Sequence, residues 1–416
     1  MKKFIDWLSN VFAPAMSKLF KRPWFAGVSS AMQKIIPFIL TGSVVFFYNV
    51  FRSYIPVLPD IGPIASYSFF LLSLIVCFMI TNQIMEKLKH PRYTITAALV
   101  SICTFLMFVK PEAGEDSIML VDWDRLGPSG VLVAMVVGLF VAFVFNLYAK
   151  IPWLRDSNIP DFVVGWIHNV IPIFATLGIS SLIIHTANID LFDVILAWFE
   201  PVAKFGQTLP GFILLILVPT IFLTMGISTW TFSAVQNPIF FMGIQANIAA
   251  VAAGGVATNI VTSETIYTAA LITMGGTGAT LLLNILMMFS KSKSLKAMGR
   301  ICIAPSIFNI NEPIVFGTPV VFNPLLMLPM WINSITGPTI VWIFMRSGLL
   351  NIPSKMIQVG QIPAPFSSVM ITEDWRAIIC YIVLFGVYLV TWLPFFKAYE
   401  KQKLQEELQE VVNETN

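Results

Sequence analysis

Ser306-Ile307-Phe308-Asn309-Ile310-Asn311-Glu312-Pro313-Ile314-Val315-Phe316-Gly317 sets one carboxylate, preceded by two amides, between apolar segments. Pro313 has no N–H to give a helix ladder, and Pro305 and Pro319 bracket the same stretch, so the backbone is expected to break here. The surrounding chain is apolar. Of its 416 residues 57% are hydrophobic and only 11% charged, where a soluble domain carries about 25% charged residues. In lipid, broken backbone persists only where it is buried in protein or lines a wet cavity. A carboxylate near the bilayer centre costs about 2.5–3.5 kcal/mol on insertion scales, so one kept there has a task. Glu312, Asn309 and Asn311 are acceptors of the kind that sugar hydroxyls need. A structural reading stands beside this one: Glu312 caps a half-helix or pairs with a lysine in a short loop.

Working outward, apolar windows of about 20 residues, the length that crosses a bilayer, lie near Val28–Phe51, Pro63–Ile84, Tyr93–Val109, Gly130–Ala149, Phe162–Thr186 and Leu209–Ile227. Beyond them the pattern loosens. Trp230–Val261 is apolar but rich in Gly, Asn, Gln and Thr, and Glu264–Phe289 is interrupted by Gly275-Gly276-Thr277-Gly278. Spans near Val320–Phe344 and Trp375–Phe396 close the series. The fold class is therefore an all-α polytopic membrane protein with about ten transmembrane helices. Five regular spans followed by interrupted ones suggest a scaffold and then a transport unit, since discontinuous helices are where transporters build substrate sites. The expected divisions are an amphipathic cytoplasmic segment (1–27), a scaffold domain (28–189) to which the family resemblance given below adds dimerisation, an amphipathic connector (190–208), a sugar-transport domain (209–397) and a cytoplasmic tail (398–416).

Charge gives orientation and excludes classes. Lys18, Lys21 and Arg22 precede the first span, Lys87, Lys89 and Arg92 follow the second, and Lys150 and Arg155 follow the fourth. Lys291, Lys293, Lys296 and Arg300 make the densest basic loop, and Lys397, Lys401 and Lys403 follow the last span. The loop after the third span carries Glu112, Glu115, Asp116, Asp122 and Asp124. Basic loops inside and the acidic loop outside put both termini in the cytoplasm of a cell bounded by this inner membrane. The net charge of +3, with no basic stripe and interleaved aromatics, argues against a nucleic-acid partner. The N-terminus lacks the order of a signal peptide and reads as an interfacial helix on the lipid surface. Cys77, Cys103, Cys302 and Cys380 all fall in apolar segments, with no metal or redox spacing, so no metal and no cofactor is expected.

Three pieces of the second half carry candidate chemistry. Gly226-Ile227-Ser228-Thr229-Trp230 ends the sixth span; Trp230 offers an aromatic face that suits a pyranose, and equally suits an interfacial belt. Gln236, Asn237, Gln245, Asn247, Asn259 and Thr262 lie in an apolar region with a second carboxylate, Glu264. Such amides need internal partners, and helix–helix bonding accounts for any single one as well as sugar does. The third piece is the Glu312 stretch.

With those residues in view the chain resembles the lactose/cellobiose/diacetylchitobiose family of phosphotransferase-system enzyme IIC. The likeness rests on Gly275-Gly276-Thr277-Gly278-Ala279-Thr280-Leu281, Ser290-Lys291-Ser292-Lys293, Phe308-Asn309-Ile310-Asn311-Glu312-Pro313, Phe316-Gly317 and Asn323-Pro324. It extends to Ile36-Pro37-Phe38 with Gly42-Ser43, to Ile159-Pro160 with Ile171-Pro172, and to Leu209-Pro210-Gly211, in the same order along nearly the whole chain. It implies a homodimer of ten-helix protomers with re-entrant hairpins in the C-terminal half. It implies a sugar, most simply a β-linked disaccharide, whose 6-hydroxyl meets a phosphocysteine on a separate enzyme IIB, docking on the basic Lys291–Arg300 loop. Glu312 matches the family's sugar-binding glutamate and would bind, and act as base for, the reacting hydroxyl. Asn309, Asn311, Ser228, Trp230, Asn247 and Glu264 are the further expected sugar contacts.

One departure is informative. Family members carry a Gly-Ile-His-Gly stretch after the sixth span, and here Ser228 stands where that histidine falls. Serine gives and takes a hydrogen bond but carries no charge near neutral pH. A non-phosphorylating facilitator or sensor of the same fold is thus a second reading. An ion-coupled symporter is a third, disfavoured by the scarcity of acidic residues within the spans.

Overall fold

The computed structural model describes residues 21–35, 57–113, 119–151, 161–186, 189–227, 229–318, 323–357 and 362–415, with scattered positions between them. The described chain is helical apart from one short antiparallel hairpin, Glu112–Ala113 with Met119–Leu120. It divides into two compact units, residues 18–202 with 230–238, and residues 203–229 with 239–416.

In the first unit, α1 (Pro23–Lys34), α2 (Leu72–Lys87), α3 (Thr94–Val109), α4 (Val131–Ala149) and α5 (Asp161–Ser181) form the bundle. α2 is its axis and packs on α1, α3 and α4. Lipid is as apolar as these side chains, so close approach and polar contacts hold the helices together. At Gly138 a Cβ would lie 3.0 Å from the Ile80 side chain, and the Thr81 hydroxyl donates to the Gly138 carbonyl at 3.0 Å. Cys77 and Ser101 bond reciprocally through side chain and carbonyl at 3.1 Å each way; of the four cysteines in apolar segments Cys77, Cys302 and Cys380 are buried and Cys103 is exposed. His168 is buried, with Tyr93 Oη at 3.4 Å and the Tyr148 ring edge against it. His90 bonds Asn146 at 3.1 Å. Both histidines are packed within this unit.

The connector α6 (Leu191–Gly206) meets α7 (Leu209–Leu223) at 91°. α6 starts on an ionic knot: Arg125 reaches Asp190 at 3.1 Å and Asp193 at 3.2 Å, and its guanidinium lies 4.6 Å from the Phe192 ring centre. Trp198, Val202 and Phe205 are exposed along the helix, the pattern of a helix lying in an interface.

The second unit is built on α7, α8 (Ser233–Ala252), α9 (Leu281–Met288), α10 (Lys293–Ile307), α11 (Glu312–Gly317), α12 (Pro324–Arg346), α13 (Ala364–Thr372) and α14 (Ala377–Thr415). Its helix starts follow the capping rules: Thr208, Ser292 and Asn323 accept from Gly211 N, Leu295 N and Leu325 N, and Pro324 takes the first helical position. α12 packs on α7 and α14, and α9 on α10 and α14.

Six described helices are long and apolar enough to cross a membrane, or seven if the bent pair α6–α7 is one span. The chain is a multi-pass membrane protein. One of the expected spans is not a single helix. Residues 264–289 form a wide helical turn at Glu264–Thr268, a run of tight turns and the eight-residue α9, so no one helix there has spanning length. Most of the expected first span, Val28–Phe51, lies outside the described residues.

Candidate functional site

The Glu312 stretch is broken where Pro313 says it should be. α10 ends at Ile307, and Asn309 follows with φ +62°, closing the helix with Ile310 N bonded to Pro305 O at 2.9 Å. A left-handed residue is a standard helix stop, and asparagine tolerates it better than most side chains. Glu312 then opens α11, with Pro313 at the second position, where its missing N–H costs nothing.

The two amides before Glu312 are committed to a second element. Asn309 Oδ1 accepts from Gly275 N at 3.0 Å, and its Nδ2 donates to Ile362 O at 3.1 Å. Asn311 Nδ2 donates to Thr277 O at 2.8 Å. Both therefore grip the Gly275–Gly278 turn. From the other side Asn333 Nδ2 donates to Gly278 O at 3.3 Å, and Trp392 Nε1 to Ala279 O at 2.8 Å. Gly275, Gly276, Gly278 and Ala279 all have positive φ. A Cβ on Gly276 would sit 2.4 Å from Asn311 Cγ, so only glycine lets the turn approach that closely. Within Ala269–Leu283 every side chain is buried except that of Thr277 at the tip. Asn309 has spent its polar atoms on protein. Asn311 keeps Oδ1, which has no donor among the described residues, as an acceptor beside Glu312.

The remaining sequence candidates separate. Asn247 is fully buried and saturated: Oδ1 accepts from Thr258 N (3.1 Å), Asn259 N (2.9 Å) and Asn259 Nδ2 (3.2 Å), while Nδ2 donates to Asn259 O (2.8 Å) and Pro353 O (2.9 Å). It pins a loop, leaving nothing for a sugar. Gln207 does the same at Val261, with Nε2 to the carbonyl at 2.7 Å and Oε1 from the amide at 2.9 Å. Glu264 is fully buried and accepts from the Ser263 hydroxyl at 2.7 Å. Ser228 and the side chains of Trp230 and Glu312 lie outside the described set. Sequence reasoning missed Asn333, Trp392 and Gln207; a lone amide in the apolar α12 was the available signal for Asn333.

Comparison with known proteins fits this architecture. The family profile "Phosphotransferase system, EIIC" matches residues 25–334. The chain belongs to the phosphotransferase-system EIIC family. It is 27% identical over 361 residues to the lichenan permease IIC component of Bacillus subtilis, covering 82% of this chain and 78% of that protein. It is 28% identical over 345 residues to the lactose-specific EIICB component of Staphylococcus epidermidis, covering 79% of this chain and 56% of that longer protein. The crystal structure of ChbC, the IIC component of the N,N'-diacetylchitobiose-specific phosphotransferase system, superposes with a TM-score of 0.82 at 26% identity, covering 96% of this chain and 99% of ChbC. The EIIC likeness read from the Gly275 turn and the Asn-Glu-Pro motif is thereby borne out. The chain is a phosphotransferase-system sugar permease component.

Proposed function

We propose that this EIIC protein binds a β-linked disaccharide at Glu312 and presents its 6-hydroxyl to a phosphocysteine on a separate IIB protein. The observation that carries the reading is the coupling of Glu312 to the glycine turn: Asn309 and Asn311, its immediate neighbours, each hydrogen-bond that turn. A carboxylate in a wet site aligns hydroxyls only if its backbone is fixed, and four side-chain donors and acceptors on one turn supply that fixity.

In this reading Glu312 accepts a hydrogen bond from the reacting hydroxyl and Asn311 Oδ1 accepts from a neighbouring one. The sugar oxygen attacks phosphorus, the S–P bond breaks, the thiolate leaves on IIB, and the hydroxyl proton passes to Glu312. A well-placed base of this kind contributes about 10²–10⁴-fold. Asn309 and Asn247 act as positioning residues, and a homodimer in the cytoplasmic membrane is the expected assembly. A second reading, a facilitator that does not phosphorylate, draws on Ser228 in place of the family histidine.

Two measurements test the proposal. Calorimetric titration of purified protein with cellobiose and related disaccharides should lose binding in Glu312→Gln without loss of the folded protein; near-normal affinity would remove Glu312 from the site. Vesicle uptake of radiolabelled sugar should yield sugar phosphate only with phosphoenolpyruvate and IIB. Downhill equilibration of free sugar would support the facilitator, and uptake following a proton or sodium gradient would support a symporter.

A further inference from the structure

The turn Ser290–Ser294 and the extended last helix are tied by two carboxylates. Glu400 accepts from Ser290 Oγ at 2.6 Å and Lys291 N at 2.7 Å. Glu407 accepts from Ser292 Oγ at 2.7 Å, Ser294 N at 3.0 Å, Ser294 Oγ at 2.8 Å and Lys293 N at 3.3 Å. The two glutamates are two helical turns apart on α14, hence on one face. Ser290 and Ser292 are buried under them.

What these carboxylates do not bind matters more. Every donor they take is a hydroxyl or a backbone N–H, not an ammonium. Lys291, Lys293, Lys296 and Arg300 on the loop side, and Lys397 and Lys401 on α14, make no ion pair among the described residues. All but Lys296 are exposed. The clasp thus fixes backbone while leaving six cations free around it.

We propose that this clasped turn is the docking face for the phosphorylated IIB protein, with the tail helix a built part of it. The inference rests on the phosphotransferase reading above. Two features favour a phosphoprotein over lipid headgroups. Glu407 lies eleven residues beyond Phe396, the end of the apolar part of α14, about 16 Å along a helix at 1.5 Å per residue. The headgroup layer is only about 5–8 Å deep per leaflet, so the turn held by Glu407 stands in water. Five of the six cations are also exposed and unpaired among the described residues, so they offer an acidic protein surface a face of complementary charge.

The test uses the full chain in zwitterionic nanodiscs. The probe is the phosphorylated IIB protein of a cellobiose-specific system, with its unphosphorylated form as control. Lys291→Gln/Lys293→Gln/Lys401→Gln should raise the dissociation constant at least tenfold and flatten its salt dependence, with sugar affinity unchanged. Glu400→Gln/Glu407→Gln is the decisive variant. It makes the face more positive, so bulk attraction predicts tighter binding, whereas a built face predicts binding weakened several-fold. Tighter or unchanged binding overturns the proposal. So does a lysine variant that loses only affinity for anionic vesicles while transferring phosphate normally. A wild-type chain that binds sugar but never receives phosphate overturns the phosphotransferase reading itself, and the docking face with it.

Discussion

At the scale of single residues, amides rather than charges decide this site. Gly276 shows how tightly. Its φ of +107° and the 2.4 Å a Cβ would leave to Asn311 Cγ make Gly276→Ala a double violation. We expect it to cost about 1–3 kcal/mol of stability and to shift Asn311 off Thr277, weakening sugar binding. An alanine variant with wild-type melting temperature and sugar affinity would show the turn to be loose. Asn247→Ala is expected to destabilise by about 1–3 kcal/mol, because it removes a fully buried amide and leaves the Pro353 carbonyl and the Thr258 and Asn259 N–H groups without their partner. Asn247→Asp should rescue little, since a carboxylate cannot donate to Asn259 O or Pro353 O. Thermal unfolding in detergent reads both, and an unchanged transition in Asn247→Ala would remove the pinning role. These residues also show what a sequence can carry. Asn309, Asn311 and Glu312 stand together in the chain, so their importance was legible. Their partners Gly275, Thr277 and Ile362 lie 34 to 53 residues away, and only the fold tells a sugar contact from an amide that grips backbone. Asn247 illustrates the difference: a polar residue in an apolar helix looks the same before its loop is seen.

At the scale of elements, legibility follows continuity. α2, α3, α4 and α12 each present one apolar window of spanning length, so their positions could be read directly. Residues 264–289 could be read only as interrupted, because a wide turn, tight turns and α9 draw their order from Asn309, Asn311, Asn333 and Trp392 elsewhere. The tail was legible as a charged helix, but not its clasp. That clasp titrates. Hydrogen bonds from the Ser292 hydroxyl, then from Ser294 N and its hydroxyl, hold the Glu407 carboxyl down at about 2, against an ordinary value of about 4.3 for a free glutamate. A depressed folded value means that the stabilising contribution is full above about pH 4.3 and fades as pH falls toward 2. Spin labels at Arg300 and Gln409 should therefore show a sharp distance distribution near neutrality that broadens between about pH 4 and pH 2. Glu407→Gln should be broad throughout; a wild-type distribution indifferent to pH across that window would mean that Glu407 does not hold the tail. In the first unit, Arg125 bridges Asp190, Asp193 and the Phe192 ring. Lysine lacks the planar fork, so Arg125→Lys should raise hydrogen exchange at the start of α6 nearly as much as Arg125→Ala. Equal protection in wild type and Arg125→Lys would reduce the knot to a point-charge contact.

At the scale of the whole molecule, sidedness is the consequence that follows from the fewest assumptions. Glu407 and Ser294 are hydrogen-bonded, so the end of α14 and the Ser290–Ser294 turn must lie on one side of the membrane, whatever the number of crossings. The sequence adds the sign. Lys291, Lys293, Lys296 and Arg300 border that turn, whereas Glu112, Glu115, Asp116, Asp122 and Asp124 gather in the loop after α3, and basic loops stay in the cytoplasm. Reporter fusions at Ser294 and at the C-terminus should thus report the cytoplasm together, and a fusion at Ser117 the opposite face. A Ser117 fusion on the same side as Ser294 would break the charge-based orientation while leaving the clasp intact. A C-terminal fusion opposite to Ser294 would break the clasp, because no helix carries a carboxylate across a bilayer to reach a serine on the other side.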